Sequence, residues 1–330
     1  MGNSTLQLRV DNRNLILQYV KAHNGVTKSE VSNKTKLSQG TVNTILNQLK
    51  EESLVCETSD TSISGGRPAS KFVLNADYCH VCCLYLEEKA SDEALIHYQI
   101  LNLIGKSPLA EEIRIKNITP AKLIDFISML KKRDEKIHAV SIGIPGIVDN
   151  QGNLSHCDFS AFTEISLAKF VHDSLAIDVR VENDVTLMAK GVANMDNLSS
   201  KTAAILYFPK SSPLGVGLIC DGRIIRGSTG FAGELSFLPP GFRNLEEPTS
   251  ADEIAYMINV LTCVLNPEEI VLTGERIANI SLTELENICL KSIPLKHLPT
   301  LKYKSDITEY YYRGLWELIE ENYLIRLGEG

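Results

Sequence analysis

At 330 residues the chain is too long for one ordinary domain, and its 44% hydrophobic and 22% charged residues suit a protein that buries real cores. No apolar run reaches the roughly 18 residues needed to cross a bilayer, and residues 1–9 lack the charged-then-apolar pattern of a signal peptide, so the expectation is a cytoplasmic protein with no membrane partner. The formal net charge of −8 is uneven: residues 1–75 hold nine Lys/Arg against six Asp/Glu, +3, which leaves −11 for the rest and lets only the head favour phosphates.

From Asp11 to His23, Leu15, Ile16, Tyr19 and Val20 recur at helical spacing, and Asn24-Gly25 stops the helix. Thr27-Lys28-Ser29-Glu30 reads as a capping box that opens a short helix ending near Lys36. Ser38 then caps a third helix whose Val42, Ile45, Leu46 and Leu49 form one apolar stripe. Its other face carries Thr41, Asn43, Thr44 and Gln48, all hydrogen-bonding and none acidic. Two helices across a tight turn, the second polar outside, predict a helix-turn-helix.

Leu54–Glu57 and Lys71–Leu74 read as two strands of a wing, with Ser64-Gly65-Gly66-Arg67-Pro68 between them. Paired glycines let such a tip approach another surface, and Arg67 can enter a minor groove. The expected DNA-binding residues are therefore Gln39, Thr41, Asn43 and Thr44 for bases, with Asn and Gln suited to adenine, and Arg67 at the wing. Lys34, Lys36 and Lys50 are expected on phosphates, and a three-helix packing module with a solvated face is the alternative.

The expected boundary falls at residue 75, with residues 76–330 forming an α/β body of two lobes, about 76–190 and 191–330. An apolar strand over Ile137–Ile144 ends in Gly143-Ile144-Pro145-Gly146. A strand over Val179–Val181 runs directly into Glu182-Asn183-Asp184 and a helix through Leu187–Val192. Polar residues at the carboxyl end of a strand, just before a helix, sit where open α/β sheets bind ligands. Gly215–Ile225 reads as a hairpin turning at Asp221-Gly222, then Gly227, Gly230 and Gly233-Glu234 follow. A helix over Ala251–Leu265 leads through Asn266-Pro267 to a strand over Ile270–Leu272, and residues 306–321 read as a packed helix. The eight cysteines are expected reduced and buried, Cys82 facing away from Cys79 and Cys83.

These pieces, in this order, resemble the ROK family of repressors and sugar kinases across nearly the whole chain. The shared motifs are Gly65-Gly66-Arg67-Pro68, Gly143–Gly146, Glu182-Asn183-Asp184, Gly215-Val216-Gly217 through Gly227, Gly233-Glu234 and Asn266-Pro267-Glu268. The resemblance implies a winged helix-turn-helix followed by an actin/hexokinase-like, ribonuclease-H-like body with a sugar in the cleft. It also implies a homodimer or homotetramer on a palindromic DNA operator. By the same resemblance Asp184 matches the family's catalytic base, and Asn183, Asp184, Glu234 and Glu246 are the sugar-binding candidates.

The chain departs from the family in two places. The phosphate-holding turn expected after the body's first strand, Val81–Leu86, is replaced by Glu87-Glu88-Lys89-Ala90-Ser91, which has no glycine and offers two carboxylates to an anion. At the family's zinc site Ser236-Phe237 replaces Gly-His, and no cysteine follows through Ser250, so neither a metal nor another cofactor is expected. The expected function is a sequence-specific regulator, a repressor rather than an enzyme, whose body senses a sugar, a sugar phosphate or a related metabolite. The alternatives are a ligand-blind regulator whose body only dimerises or docks a partner, and an active sugar kinase.

Overall fold

A computed structural model of the chain describes residues 2–23, 25–59, 70–90, 93–107, 109–196, 198, 201–210, 213–237 and 250–327. The head comprises α1 (Gly2–Ala22), α2 (Lys28–Thr35) and α3 (Gln39–Glu51), then β1 (Val55–Ser59) and β2 (Ser70–Leu74). Thr27 and Glu30 close the expected capping box, Lys36 ends α2 in a left-handed conformation, and the Ser38 hydroxyl accepts the Thr41 N–H at 3.1 Å. The apolar stripe of α3 is buried, and β1 and β2 pair antiparallel, with Val26 adding a single bridge to Phe72. α1 begins nine residues ahead of the expected Asp11, since neither proline nor glycine interrupts residues 3–10.

The body is one unit used twice. The first copy runs β3 (His80–Ala90), β4 (Glu93–Asn102), β5 (Ala110–Ile115), α4 (Pro120–Arg133) and β6 (Ile137–Ile144). A small sheet of β7 (Gly146–Val148), β8 (Asn153–Cys157) and β9 (Ile165–Ser166) is inserted before α5 (Leu167–Leu175), β10 (Asp178–Asn183) and α6 (Asp184–Met195). The second copy runs β11 (Ala203–Tyr207), β12 (Gly215–Cys220), β13 (Arg223–Ile224), α7 (Ala251–Leu265), β14 (Glu269–Thr273), α8 (Leu282–Cys289), β15 (Thr300–Lys304) and α9 (Thr308–Leu327). The sheets are ordered β10-β6-β3-β4-β5 and β13-β12-β11-β14-β15. In each, three strands meander antiparallel and two join parallel through helices. This repeat has no counterpart in the sequence motifs, because only strand periodicity and not side-chain identity is shared.

The last helices of the two copies are exchanged. α6 packs Ala189, Val192 and Ala193 against Ala203, Ile205 and Ile219 of the second sheet, while α9 lies on β3 and β6 of the first. α9 thus joins the first lobe although its chain position falls within 191–330. The two helices cross at glycines. A Cβ on Gly191 would stand 1.9 Å from the Tyr310 carbonyl oxygen, and one on Gly314 would stand 2.1 Å from that of Leu187. No side chain fits at either point, so backbone lies on backbone.

α9 continues beyond the crossing to the head. Tyr312, Leu315, Trp316 and Ile319 share one apolar core with Ile16, Val20, Val42 and Leu46 of the head and with Val81 and Cys83 of the first sheet. Lys21 of α1 pairs with Glu320 at 2.6 Å. Head and body are therefore joined by packing as well as by chain, past the sequence boundary at residue 75.

Two expectations are corrected. β3 does not stop at Leu86, because β4 pairs with it from His80↔Asn102 out to Ala90↔Glu93; Glu87 and Glu88 lie in a strand rather than in a turn. Cys56 and Cys263 are exposed, since β1 and the outward face of α7 have no layer over them, whereas Cys79, Cys82, Cys83, Cys157 and Cys289 are buried. Cys82 and Cys83 do enter opposite cores, and burial pushes the Cys82 thiol up to about 12.

Replacing Gly314 by Ala should force α6 and α9 apart. Overpacking of this kind costs about 1–3 kcal/mol, so thermal unfolding of Gly314→Ala should fall by several degrees. A control Ala substitution at exposed Gly40, whose Cβ would meet only the Ser38 hydroxyl at 3.8 Å, should change it much less.

Candidate functional site

Two surfaces carry the polar residues of interest. On the head, Gln39, Asn43 and Thr44 are exposed and Thr41 is half-buried on the outward side of α3. The Thr44 hydroxyl donates to the Gly40 carbonyl at 3.0 Å, and the Thr41 hydroxyl lies 2.9 Å from the Ser38 hydroxyl. Both are engaged locally, and the longer amide side chains Gln39, Asn43, Asn47 and Gln48 are exposed on this helix. The Asn43 amide oxygen accepts from Lys28, a residue that the sequence reading assigned no role. Lys50 is held by Glu57 of β1, so its charge is shared with the wing. Lys34 and Lys36 are exposed. Arg67 and the rest of the wing tip lie outside the described residues.

The second surface is a cleft of about 1470 Å³ between the two sheets. β6 delivers Pro145 and Gly146 to it, β8 delivers His156 with Asp158 just beyond, and β10 ends on Asn183 where α6 begins at Asp184. The second lobe contributes Glu234, Ser236 and Phe237 after the glycine-rich segment. Asn183 is largely a structural residue. Its amide oxygen caps α6 at the Thr186 N–H at 2.9 Å, and its amide nitrogen donates to the Gly146 carbonyl at 2.9 Å and to Asp184 at 3.0 Å. Asp184 accepts the Val185 N–H at 2.9 Å and a hydroxyl from Tyr311 of α9. Glu246 lies outside the described residues.

Burial and the nearby charge of Asp158 push Asp184 up to about 7, and the same two causes push Glu234 up to about 7. The three carboxyls share one end of the cleft. The adjoining interlobe pair, Arg226 on buried Glu182 at 2.7 Å, ties the first lobe to the segment leading to Glu234. Phe237 is half-exposed at the rim, its ring centroid 5.1 Å from that of Phe231 and 6.5 Å, edge to face, from His156. Carboxyl acceptors beneath an aromatic rim match a ligand with several hydroxyl donors and one apolar face.

The other half of the cleft is lined by stacked rings and by paired charges. Tyr85 of β3 stacks on His97 at 4.5 Å on one side and on Tyr311 at 4.2 Å on the other. Glu87 accepts from His97 at 3.1 Å and pairs with Lys89. Glu87, expected as one of two carboxylates offered to an anion, shares its charge with Lys89 of its own strand and His97 of β4. Among the described residues no cluster of three or more His, Cys, Asp or Glu could hold a metal, and no helix is long and apolar enough to cross a membrane.

Sequence reasoning reached Asn183, Asp184 and Glu234, which the fold does bring to one cleft, but missed His156, Asp158, Tyr85 and Tyr311. His156 and Asp158 carry no local motif, and Tyr311 lies more than a hundred residues from Asp184. The sole hint for Tyr311 was the aromatic density of residues 306–321.

Comparison with known proteins supplies two family matches. Residues 11–55 match a winged helix-turn-helix DNA-binding model, and residues 97–246 match the ROK family. A xylose repressor of Bacillus spizizenii is 26% identical over 242 residues, covering 70% of this chain and 61% of that protein. The DNA-binding transcriptional dual regulator NagC of Escherichia coli is 20% identical, covering 72% and 59%. The chain thus spans about 60% of the length of the curated relatives it matches. Among solved structures, a ROK family transcriptional regulator, homolog of the E. coli MLC protein, superposes with a TM-score of 0.72 at 18% identity, covering 98% of this chain and 100% of that one. A putative N-acetylmannosamine kinase from Listeria monocytogenes gives 0.62 at 13% identity, covering 74% and 99%.

The raised carboxyls make the cleft pH-sensitive. The native state favours their protonated forms, so the stabilisation is fully present below the ordinary values of 3.8 and 4.5. It is lost as pH rises through about 7. The unfolding temperature should decline by several degrees between pH 5 and pH 8, and Asp184→Asn, which cannot ionise, should remove much of that decline. An unchanged slope in the variant would show that other groups set it.

Proposed function

We propose that this chain, whose residues 11–55 match a winged helix-turn-helix model and residues 97–246 the ROK family, is a sequence-specific DNA-binding regulator of transcription, acting as a repressor. The body acts as a sensor rather than a kinase and binds a sugar or related metabolite between its lobes. The protein works as a homodimer or homotetramer in the cytoplasm, two heads meeting the half-sites of a palindromic operator. The observation that carries the reading is the single apolar core that joins the head to α9, the helix whose Tyr311 bonds Asp184 in the cleft.

Ligand hydroxyls that bond Asp184 and Glu234 compete with the contacts that Asp184 makes with Asn183 and Tyr311. A change in lobe closure then moves α9, which crosses α6 backbone to backbone, and α9 carries the change to α1. Binding shifts the population between two head arrangements with different operator affinity. The relatives named xylose repressors make a neutral sugar the first class to test, with Arg67, Gln39 and Asn43 as the DNA-contacting residues of the head and Glu246 as a further cleft residue. The continuous β3 strand and the Tyr85 stack support a body that transfers no phosphate. ATP turnover with a sugar acceptor, abolished by Asp184→Asn, would overturn that part of the reading.

A titration of the DNA upstream of the gene against salt, wild type beside Arg67→Ala, tests the head. Tight binding that weakens steeply with salt, and further with the substitution, is expected. Equally weak binding to that DNA and to random sequence would speak against a DNA reader. Release of the bound DNA by one member of a sugar and sugar-phosphate panel, lost in Glu234→Ala, is the expected behaviour of the sensor. Release by none, with regulation intact in Glu234→Ala, would favour a body that only dimerises or docks a partner.

A further inference from the structure

Lys28 is the first residue of α2 and takes no part in the capping box that Thr27 and Glu30 close around it. Its ammonium crosses the helix-turn-helix to α3, where it lies 2.5 Å from the Asn43 amide oxygen and 3.3 Å from that of Asn47. It also stands 5.4 Å from the centroid of the buried Phe72 ring, so an aromatic face from the wing holds the charge in place. Glu57, a neighbouring carboxylate that feels this charge, is bonded to Lys50. The lysine is thus preorganised on the outward face of α3 by partners that leave its positive charge unneutralised.

Asn43 and Asn47 are four residues apart and share the exposed side of α3. An ammonium can only donate, so it turns both amide oxygens toward itself and leaves the amide nitrogens as the arms directed away from it. A residue that reads adenine needs both ends of the amide: the oxygen accepts from N6 while the nitrogen donates to N7. With its oxygen already taken by Lys28, Asn43 offers a donor in place of that pair.

We infer that Lys28 is a specificity-determining residue of the head, and that Lys28, Asn43 and Asn47 together present hydrogen-bond donors that read the N7 and O6 acceptors of guanine in the major groove. This rests on the DNA-reading function proposed above, and replaces the adenine preference that the Asn43 side chain alone suggests. Lys28 differs in this from Lys34 and Lys36, which carry exposed charges suited to phosphates.

Duplexes selected from a random-sequence library by the full-length protein test the inference, with wild type beside Lys28→Met and Lys28→Arg. Methionine keeps an apolar stem over Phe72 and removes the charge. The wild type should enrich a guanine in each half-site; at that base Lys28→Met should lose about tenfold in discrimination while Lys28→Arg retains it. Binding to unselected DNA should change little. Asn43→Ala should relax the same base, and keeps the test open should Lys28→Met unfold, which its thermal unfolding will reveal. Equal weakening on selected and unselected DNA, with a salt slope shallower by about one, would make Lys28 a phosphate contact and overturn the inference. An adenine preference that survives in Lys28→Met would overturn it equally. If the wild type enriches no sequence at all, the DNA-reading function itself fails, and this inference with it.

Discussion

The crossing of α6 and α9 is the contact on which the arrangement of this protein depends. Gly191 and Gly314 each face a carbonyl of the opposite helix at a distance where no side-chain carbon fits, so the helices meet at their backbones. That closeness brings the Tyr311 hydroxyl to Asp184 and lets α9 lie on the first sheet. From the same crossing the rest of α9, with Tyr312, Trp316 and Ile319, projects into the core beneath the head. Around the crossing, Lys304 bonds Asp196 at 2.9 Å and the Tyr310 hydroxyl at 2.5 Å, which anchors the start of α9 to the end of α6. In the proposed sensor, two copies of one unit need a joint that is stiff within each lobe and still transmits a change between them. Exchanged helices in backbone contact supply one, because packed interfaces shift between discrete arrangements rather than deforming smoothly.

The cleft has two ends of different chemistry. Three carboxyls share its far end, and two of them are held well above their ordinary range by burial and by Asp158. Water satisfies such groups poorly in a recessed site, whereas a ligand rich in hydroxyls can donate to each of them. At the near end, the stack of His97, Tyr85 and Tyr311 presents aromatic surface. Tyr311 belongs to both halves, stacked on Tyr85 and bonded to Asp184. In the proposed sensor this is the first link between ligand and DNA.

On the head, the same economy of polar groups sets what the outward face of α3 offers. Thr41 and Thr44 spend their hydroxyls on local bonds, and Lys50 spends its charge on the wing strand. The outward face of α3 is left to amides and to one lysine delivered from α2, held over Phe72. In the proposed DNA reader, the side chains offered to bases are therefore chosen by packing as much as by their place on α3.

Local patterns in the sequence determined much of this. The capping box at Thr27, the Ser38 cap, the apolar stripe of α3, the Asp221-Gly222 hairpin and the bounds of α7 all follow from interactions within a few residues, and such interactions are written in neighbouring side chains. The polar residues Asn183 and Asp184 were legible because they follow a strand end just before a helix, and Glu234 only through the family resemblance. Tertiary structure alone decided the doubling of the body, the exchange of α6 and α9, and the entry of Tyr85, His156, Asp158 and Tyr311 into the cleft. It also decided the continuation of β3 through Glu87 and Glu88, since a strand's length is set by the partner that pairs with it and not by its own residues. The reach of Lys28 to Asn43 belongs to the same class. Each joins groups far apart in the chain, and sequence periodicity carries no record of which distant surface a side chain will meet.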